Sequence, residues 1–385
     1  MNLLSENNEK ETTFMCKTQG VCHIKMEGNS VLSIDDMMHP EKLPIYLKNY
    51  YDKGELTPEV FNNWLKNRII PTKRPNYKNF EKMAEGLIRK DYLSDNNLQC
   101  LTDQYWIRRM KIEKWEKINF FNPNNPWNDD VGLLFFKSDK IIGKKNFSVK
   151  SSPDLTTGGF LTKRWIRNED KTKQYLIKQS SSSGQEVLNE VLSSFIMKKI
   201  NILPFVEYTY YIDNLNLCSK CENFINESTE FVPAIDIYES CFPDNKGVKS
   251  INDVLKNLKY AMKKNGLDKY LDMIDKMIAV DIILCNKDRH LNNFGFIKNV
   301  DSGEIIAFAP LFDFGASFLF EGGRKINIFE SYRDVGLKVI KKYGIVDTIE
   351  KNLPEIRRII NNYILLTLNE KEFIIRSFEK NLKSL

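Results

Sequence analysis

The sequence contains no apolar run of the length that a membrane-spanning helix needs, which is about 18 residues. Its densest apolar stretch, from Met277 to Cys285, is short and includes Asp281. The opening segment, MNLLSENNEKETTF, has no basic part followed by an apolar part, so no secretory signal is predicted. We therefore expect a cytoplasmic protein without a membrane span. At roughly 150 residues per domain, the 385 residues predict two or three domains.

The sequence also lacks the cysteine pattern of a disulfide framework, because its seven cysteines are odd in number and scattered. Reduced, intracellular residence is the simplest interpretation. Cys218 and Cys221 form a CxxC pair, but neither a second such pair nor a histidine pair accompanies it. Since a zinc site commonly uses four ligands, we predict a hairpin turn here rather than a metal site.

The chain has no large charge excess of the kind that indicates nucleic-acid binding. Its 57 basic and 51 acidic residues give a net charge of +6. The stretch from Trp64 to Lys82 is rich in basic and aromatic residues, and it includes Arg68 and Arg74. Such a stretch could bind the phosphates of RNA or DNA. A solvated helix face and loop is the interpretation that we favour.

The distribution of tryptophan and of periodic patterns divides the chain. Four of the five tryptophans precede residue 140, so residues 1–140 are predicted to form a separate unit, in which a helix starts at Thr57-Pro58. The region between about 150 and 237 is predicted to be strand-rich with one helix. After about residue 250 helices dominate, with an apolar helix over 270–284, strands over 294–297 and 305–308, and a last helix capped by Asn369.

The stretch NKDRHLNNFGF, followed by FAPLFDFG, carries the strongest functional signal. Asn293 comes five positions after Asp288, and Asp313 comes after the predicted hairpin. Phosphoryl transfer from ATP needs oxygen ligands for Mg²⁺ and a carboxylate beside the attacking hydroxyl. Asn293 and Asp313 can supply the ligands, and Asp288 can supply the base. Each residue alone is typical of a turn, but the three together predict a phosphotransferase.

The spacing is that of protein kinases, and the Asp-Phe-Gly motif that starts at Asp313 is intact. The usual His-Arg is missing ahead of Asp288, which instead starts the order Asp-Arg-His. That order resembles the HipA-like kinases and the phosphoinositide kinases. Pro310, three residues before Asp313, further resembles the HipA-like form. The resemblance makes His290 a second candidate for proton handling, and a hydrogen-bonded scaffold role is the alternative.

A kinase also needs a strand lysine for the ATP phosphates and a helix acid that holds this lysine. Lys178 ends the predicted strand YLIK. Glu190 lies on the next predicted helix, in an Asn-Glu pair that resembles the HipA-like form. Glu186, about one helical turn earlier, is the rival partner, and spacing alone does not separate the two.

A phosphate-binding loop is expected before that strand. The segment TTGGFLTK, which ends at Lys163, resembles the HipA-type loop, in which a glycine is followed four positions later by a lysine. It lacks the full Gly-x-Gly-x-x-Gly of ordinary protein kinases. The resemblance implies that Gly158, Gly159 and Lys163 bind the nucleotide, and a plain hairpin turn is the alternative.

These resemblances imply an α+β, bilobal, kinase-like fold that binds ATP and Mg²⁺. They predict an N-terminal extension (1–140), a kinase N-lobe (141–237) and a helical C-lobe (238–385). They favour a serine or threonine of a protein as acceptor, for example in a translation factor. They also imply an antitoxin-like, DNA-binding partner, so nucleic acid is expected only indirectly. A lipid or small-molecule kinase and a non-catalytic module of the same fold stay open as alternatives.

Overall fold

The computed structural model describes residues 12–66, 68–85, 96–137, 147–181, 183–243, 253–319 and 332–385. The chain divides into two compact units. The first is Met1–Phe160 with Asp170–Thr172, and the second is Leu161–Glu169 with Lys173–Leu385. Both units combine helices with strands, which confirms the α+β class.

The first unit is built on an antiparallel sheet of four strands: β1 (Thr12–Cys16), β2 (Gln19–Glu27), β3 (Ser30–Met37) and β4 (Tyr105–Arg108), in the order β3-β2-β1-β4. Every residue of β1 is buried. A strand that is buried on both faces lacks the polar-apolar alternation that identifies a strand in a sequence, which explains why β1 was not predicted.

Five α-helices lie in the described part of this unit: α1 (Ile45–Asp52), α2 (Pro58–Lys66), α3 (Tyr77–Glu85), α4 (Trp115–Ile118) and α5 (Asp130–Phe135). The predicted start of α2 is confirmed, since the Thr57 hydroxyl accepts a hydrogen bond from the Val60 N–H at 3.3 Å. On its inner face the rings of Phe61 and Trp64 lie 5.0 and 5.6 Å from the Phe14 ring of β1. This aromatic cluster anchors the helix to the sheet.

The basic stretch after α2 is only partly the solvated surface that we predicted. Its lysines are exposed, but Arg68 and Arg74 are buried. Arg68 donates to the Asp103 carboxylate at 2.6 Å and lies 4.6 Å from the centre of the Trp64 ring. A planar, weakly hydrated guanidinium is easier to bury than an ammonium group, and it also stacks on aromatic rings. Composition alone therefore does not tell which basic residues face the solvent.

The second unit begins with an antiparallel sheet of four strands: β5 (Lys163–Arg167), β6 (Gln174–Gln179), β7 (Tyr208–Asp213) and β8 (Asn216–Glu222), in the order β5-β6-β8-β7. Helix α6 (Gln185–Ile200) connects β6 to the segment before β7. This arrangement confirms the predicted strand-rich region with a single helix.

The CxxC pair does not form the predicted hairpin turn. Cys218 and Cys221 both lie within β8 and are buried. Residues three apart on a strand point to opposite faces of the sheet, so the two thiols do not converge on one ion. Burial raises the pKa of each thiol to about 12. Within the described residues, no group of three or more His, Cys, Asp or Glu side chains could hold a metal.

The rest of the second unit contains a three-stranded sheet of β9 (Thr229–Pro233), β10 (Gly295–Asn299) and β11 (Ile305–Phe308), in the order β11-β10-β9. Its described helices are α7 (Ala234–Cys241), α8 (Val254–Lys264), α9 (Leu271–Leu284), α10 (Arg333–Lys342), α11 (Ile345–Asn362) and α12 (Leu368–Lys383). The predicted apolar helix is α9, and the predicted hairpin is β10–β11.

We predicted that Asn369 caps the last helix, and this is wrong. Helix α12 is capped by Thr367. The Thr367 hydroxyl accepts from the Glu370 N–H, and the Glu370 carboxylate accepts from the Thr367 N–H at 2.7 Å. This reciprocal pair satisfies two backbone donors at once, which a single Asn cap does not do.

None of the helices in the described ranges combines the length and the apolar character needed to cross a membrane.

Candidate active site

The loop between α9 and β10 holds Asp288, His290 and Asn293, and the buried guanidinium of Arg289 anchors it. Arg289 Nε lies 3.1 Å from an oxygen of Asp281 on α9. Its Nη1 donates to the carbonyl oxygens of Asn293 at 2.7 Å and of Phe312 at 2.8 Å. Arg289 Nη1 therefore links the backbones of Asn293 and Phe312. Asn293 is the first predicted metal ligand, and Phe312 directly precedes the second, Asp313.

Further hydrogen bonds fix the loop around Asp288. The Asp288 N–H donates to the side chain of Asn286 at 3.2 Å, and Asn286 in turn donates to Asp281 at 2.9 Å. The Asn293 amide donates to the Asp288 carbonyl at 2.9 Å. His290 Nδ1 accepts from the Asn292 N–H at 3.3 Å. These bonds hold the loop from both sides of the predicted base.

Lys178 contacts two carboxylates at once. Its Nζ lies 2.9 Å from Glu190 Oε1 and 3.0 Å from Asp313 Oδ1. The Lys178 and Glu190 side chains are only 6% and 3% exposed, whereas the Asp313 side chain is 37% exposed. Glu186, the rival partner, instead accepts from the Ser183 hydroxyl at 3.0 Å near the start of α6. The helix acid that holds Lys178 is therefore Glu190.

The charges of this cluster control its protonation. Burial by itself would raise the pKa of Asp313, but the charges of Lys178 and Lys163 outweigh burial and hold that pKa well below its usual range. Burial also opposes the charged form of Lys178, yet Asp313 and Glu190 raise its pKa well above the ordinary value. At neutral pH the site thus holds a charged lysine beside a charged aspartate.

Helix α6 also binds the backbone of the Asp-Phe-Gly motif. The second Glu190 oxygen accepts from the Phe314 N–H at 2.9 Å. The neighbouring Asn189 donates to the carbonyl oxygens of Gly315 at 2.7 Å and Ser317 at 2.8 Å. These bonds hold Asp313 at a φ of 62°, in the left-handed region that few residues other than glycine, Asn and Asp adopt. Backbone strain of this kind often occurs at functional sites.

Tyr208 is a site residue that the sequence interpretation missed. Its hydroxyl lies 3.4 Å from Lys178 Nζ and accepts from the Asp313 N–H at 3.4 Å. Burial, followed by the charge of Glu190, raises the pKa of Tyr208 well above its ordinary value. The alternation of apolar residues that predicted β7 indicates on which face of the strand Tyr208 lies. It does not show that this face lies against Asp313.

The side chains of Asn293 and Asp313 fit a magnesium ion. Mg²⁺ prefers hard oxygen ligands, and these residues offer an amide oxygen and a carboxylate. The Asn293 NH₂ is directed at the Asp288 carbonyl, so its oxygen points away from that carbonyl. Asp313 uses Oδ1 for Lys178 and has a second oxygen on a partly exposed carboxylate.

The predicted phosphate-binding loop is divided between the two units. Lys163 belongs to the second unit, where it pairs directly with Lys178 across β5 and β6. Opposed residues of an antiparallel pair share a face, which explains how the Lys163 charge acts on Asp313. Gly158 and Gly159 belong to the first unit, where Arg74 donates to their carbonyl oxygens.

No family model and no curated protein matches this chain. Among solved structures it is similar to CtkA, a proinflammatory kinase of Helicobacter pylori, with a TM-score of 0.46 and 19% identity over 60% of this chain and 90% of that one. It is also similar to HipA of Shewanella oneidensis, solved with HipB and operator DNA, with a TM-score of 0.38 and 13% identity over 60% of this chain and 64% of that one. At these identities the similarity concerns the fold alone.

Proposed function

We propose that the chain is an ATP- and Mg²⁺-dependent phosphotransferase, and specifically a HipA-like protein serine/threonine kinase. The contact of Lys178 with both Glu190 and Asp313 carries the proposal. By contrast, the buried Lys298 contacts a single acid, Glu230, at 2.9 Å. In a kinase the same three groups bind the phosphates, hold the lysine and bind the metal.

In this proposal Lys178 binds the α- and β-phosphates of ATP, and Glu190 keeps its ammonium group in place. Lys163 adds a second positive charge on the same face of the sheet, where it favours bound phosphate. Asn293 and Asp313 hold Mg²⁺. When bound there, the ion supplies charge neutralisation on the phosphate oxygens.

Asp288 orients the acceptor hydroxyl and takes its proton while the oxygen forms a bond to the γ-phosphorus. The bond from that phosphorus to the β-γ bridging oxygen breaks, and ADP leaves. His290, whose Nδ1 accepts a hydrogen bond from the Asn292 N–H, is the second candidate for proton handling in this step.

The motifs of the sequence resemblance support the finer parts of the proposal. They favour a serine or threonine acceptor in a protein such as a translation factor, and an antitoxin-like partner. The division into an extension (1–140), an N-lobe (141–237) and a C-lobe (238–385) is also part of the proposal.

The test is transfer of labelled γ-phosphate from ATP with Mg²⁺, both to the protein itself and to a cell lysate. Asp288→Asn should reduce transfer by about 10²–10⁴-fold, because a general base is lost. Asp301→Asn, which changes an exposed turn aspartate, is the matched control and should transfer like the wild type. Label on serine or threonine that disappears only with Asp288→Asn supports a protein kinase.

Three other outcomes would redirect the proposal. Equal transfer by wild type and Asp288→Asn contradicts the role of Asp288. Binding of ATP without label on any protein points to a lipid or small-molecule acceptor. Absence of ATP binding points to a non-catalytic module.

A further inference from the structure

Tyr363, the residue that follows α11, holds the start of helix α6. Its hydroxyl donates to the carbonyl oxygen of Gly184 at 2.5 Å, over a sequence separation of 179 residues. Its ring stacks on the Tyr210 ring of β7, with 5.8 Å between the two ring centres. Gly184 is the residue directly before α6, and the Tyr363 side chain is buried. One buried side chain thus connects the end of α11 to the start of α6.

The turn before α6 fits closely against the segment that contains Tyr363. Gly184 has a φ of 75°, in the left-handed region that favours glycine. A Cβ atom at this position would lie 2.9 Å from the Cβ atom of Leu365, closer than such atoms approach each other in proteins. The start of α6 therefore has no room to move towards residues 363–365, and the hydrogen bond from Tyr363 opposes movement away from them.

Helix α11 also contacts the other end of α6. Lys199, near the end of α6, lies 3.7 Å from Glu355 in the middle of α11. Because the contacts run in opposite order along the two helices, α6 and α11 are antiparallel. The Lys199 and Glu355 side chains are 37% and 40% exposed, and an exposed ion pair contributes little. The buried contact at Gly184 is therefore the stronger of the two polar contacts.

The hairpin of α11, residues 363–367 and α12 is itself anchored beside the predicted base. Asn381 of α12 donates to the carbonyl oxygen of Ile282, near the end of α9, at 3.0 Å. The Phe378 ring lies 5.4 Å from the ring of Phe318, which follows the Asp-Phe-Gly motif. The hairpin can therefore hold α6 relative to the loop between α9 and β10.

The position of α6 determines whether Glu190 reaches Lys178. Glu190 lies less than two helical turns after Gly184, so a displacement of the first turn also moves its carboxylate. The distance from Lys178 Nζ to Glu190 Oε1 is 2.9 Å, and a shift of about 1 Å would take it beyond the range of a hydrogen bond. In protein kinases the position of this helix controls the pairing of the lysine with the acid.

We propose that Tyr363 is a positioning residue for phosphoryl transfer: its hydroxyl holds the start of α6 so that Glu190 stays paired with Lys178. This inference rests on the function proposed above. It gives the C-terminal helices of the chain a part in the active site that the sequence motifs did not indicate.

The first test measures the rate of γ-phosphate transfer to a cell lysate at saturating MgATP. Tyr363→Phe removes the hydroxyl and keeps the ring, so the rate should fall by about 3- to 10-fold, the equivalent of one hydrogen bond. Tyr238→Phe is the matched control, because Tyr238 is also buried and its hydroxyl accepts from the Asn257 amide at 3.3 Å. Both variants should lower the urea midpoint of unfolding, but Tyr238→Phe should transfer like the wild type. Equal losses of rate in the two variants, or no loss in Tyr363→Phe, would overturn the assignment of Tyr363.

A double-mutant cycle with Glu190→Gln separates positioning from a general loss of stability. If Tyr363 acts through Glu190, adding Tyr363→Phe to Glu190→Gln should cause no further loss of rate. A further loss as large as that of Tyr363→Phe alone would show that Tyr363 acts elsewhere, and the proposal would fail.

Hydrogen exchange at the start of α6 decides the matter if Glu190→Gln transfers too little label to measure. The amides of residues 188–190 should exchange about 3- to 10-fold faster in Tyr363→Phe than in the wild type, and at the wild-type rate in Tyr238→Phe. Unchanged exchange in Tyr363→Phe would contradict the hold on α6. If the wild type transfers no phosphate, the proposed function itself fails. If an active wild type and Tyr363→Phe transfer equally, only the role of Tyr363 fails.

Discussion

Changing Lys178 to Met and changing Lys298 to Met should destabilise the protein by similar amounts but affect ATP binding differently. The two lysines form closely matched pairs. Lys178–Glu190 and Lys298–Glu230 both measure 2.9 Å, and in both the lysine is 6% and the glutamate 3% exposed. Only Lys178 also contacts Asp313, at 3.0 Å.

Removing one partner of a buried ion pair typically lowers the free energy of unfolding by about 3–5 kcal/mol, because the other charge stays buried. We expect a loss of this size for each variant. In Lys178→Met a second carboxylate also loses its partner, but Asp313 is 37% exposed, so water offsets part of that loss. Glu190 keeps its bond from the Phe314 N–H.

The loss in Lys178→Met should depend on pH. Burial already raises the pKa of Glu190, and removal of the ammonium group should raise it further. An acid whose pKa is higher in the folded than in the unfolded state destabilises the fold at high pH. This effect disappears as the pH falls towards the unfolded value of about 4.3. The variant should therefore be closer to wild type at pH 5 than at pH 8.

Urea unfolding at both pH values, with and without MgATP, measures both effects. At about 100 times the dissociation constant a ligand adds about 2.7 kcal/mol to the free energy of unfolding. Wild type and Lys298→Met should show this gain, and Lys178→Met should show much less. Equal gains in the two variants would refute the role of Lys178 in phosphate binding. A loss below about 1 kcal/mol in either variant would refute the buried-pair energetics.

Two further predictions concern acids of the second unit. Glu190→Gln should lower kcat for phosphoryl transfer, because a neutral amide holds Lys178 less firmly. Glu186→Gln should change only the urea midpoint of unfolding. Equal losses of kcat in the two variants would contradict this prediction. Burial, together with the charge of Glu239, raises the pKa of Asp236 to about 8, so the folded protein keeps a proton that the unfolded chain releases. The free energy of unfolding should then fall between about pH 4 and pH 8, by at most about 1.4 kcal/mol per pH unit from this group. Asp236→Asn should flatten the fall in urea titrations, and an unchanged slope would contradict the assignment.

Local patterns predicted most elements of the second unit. Helical spacing of apolar residues predicted α6, and the alternation around Tyr208 predicted β7. These signals are local, because the apolar pattern of a helix or of a half-buried strand repeats within a few residues. In the first unit strand β1 was missed, since it is buried on both faces and has no alternation. The CxxC pair was misinterpreted because strand pairing, not cysteine spacing, determines that Cys218 and Cys221 lie within β8.

The sequence by itself determined which chemical groups are available, namely a carboxylate at Asp288, an amide at Asn293 and an Asp-Phe-Gly motif at the spacing of kinases. Only the tertiary structure decided which groups meet. It selected Glu190 over Glu186, brought Tyr208 to Lys178, and directed Arg74 to the carbonyl groups of Gly158 and Gly159. The physical reason is that ion pairs and hydrogen bonds depend on distance through space. Contacts across dozens of residues are set by how strands and helices pack, which spacing along the chain does not encode.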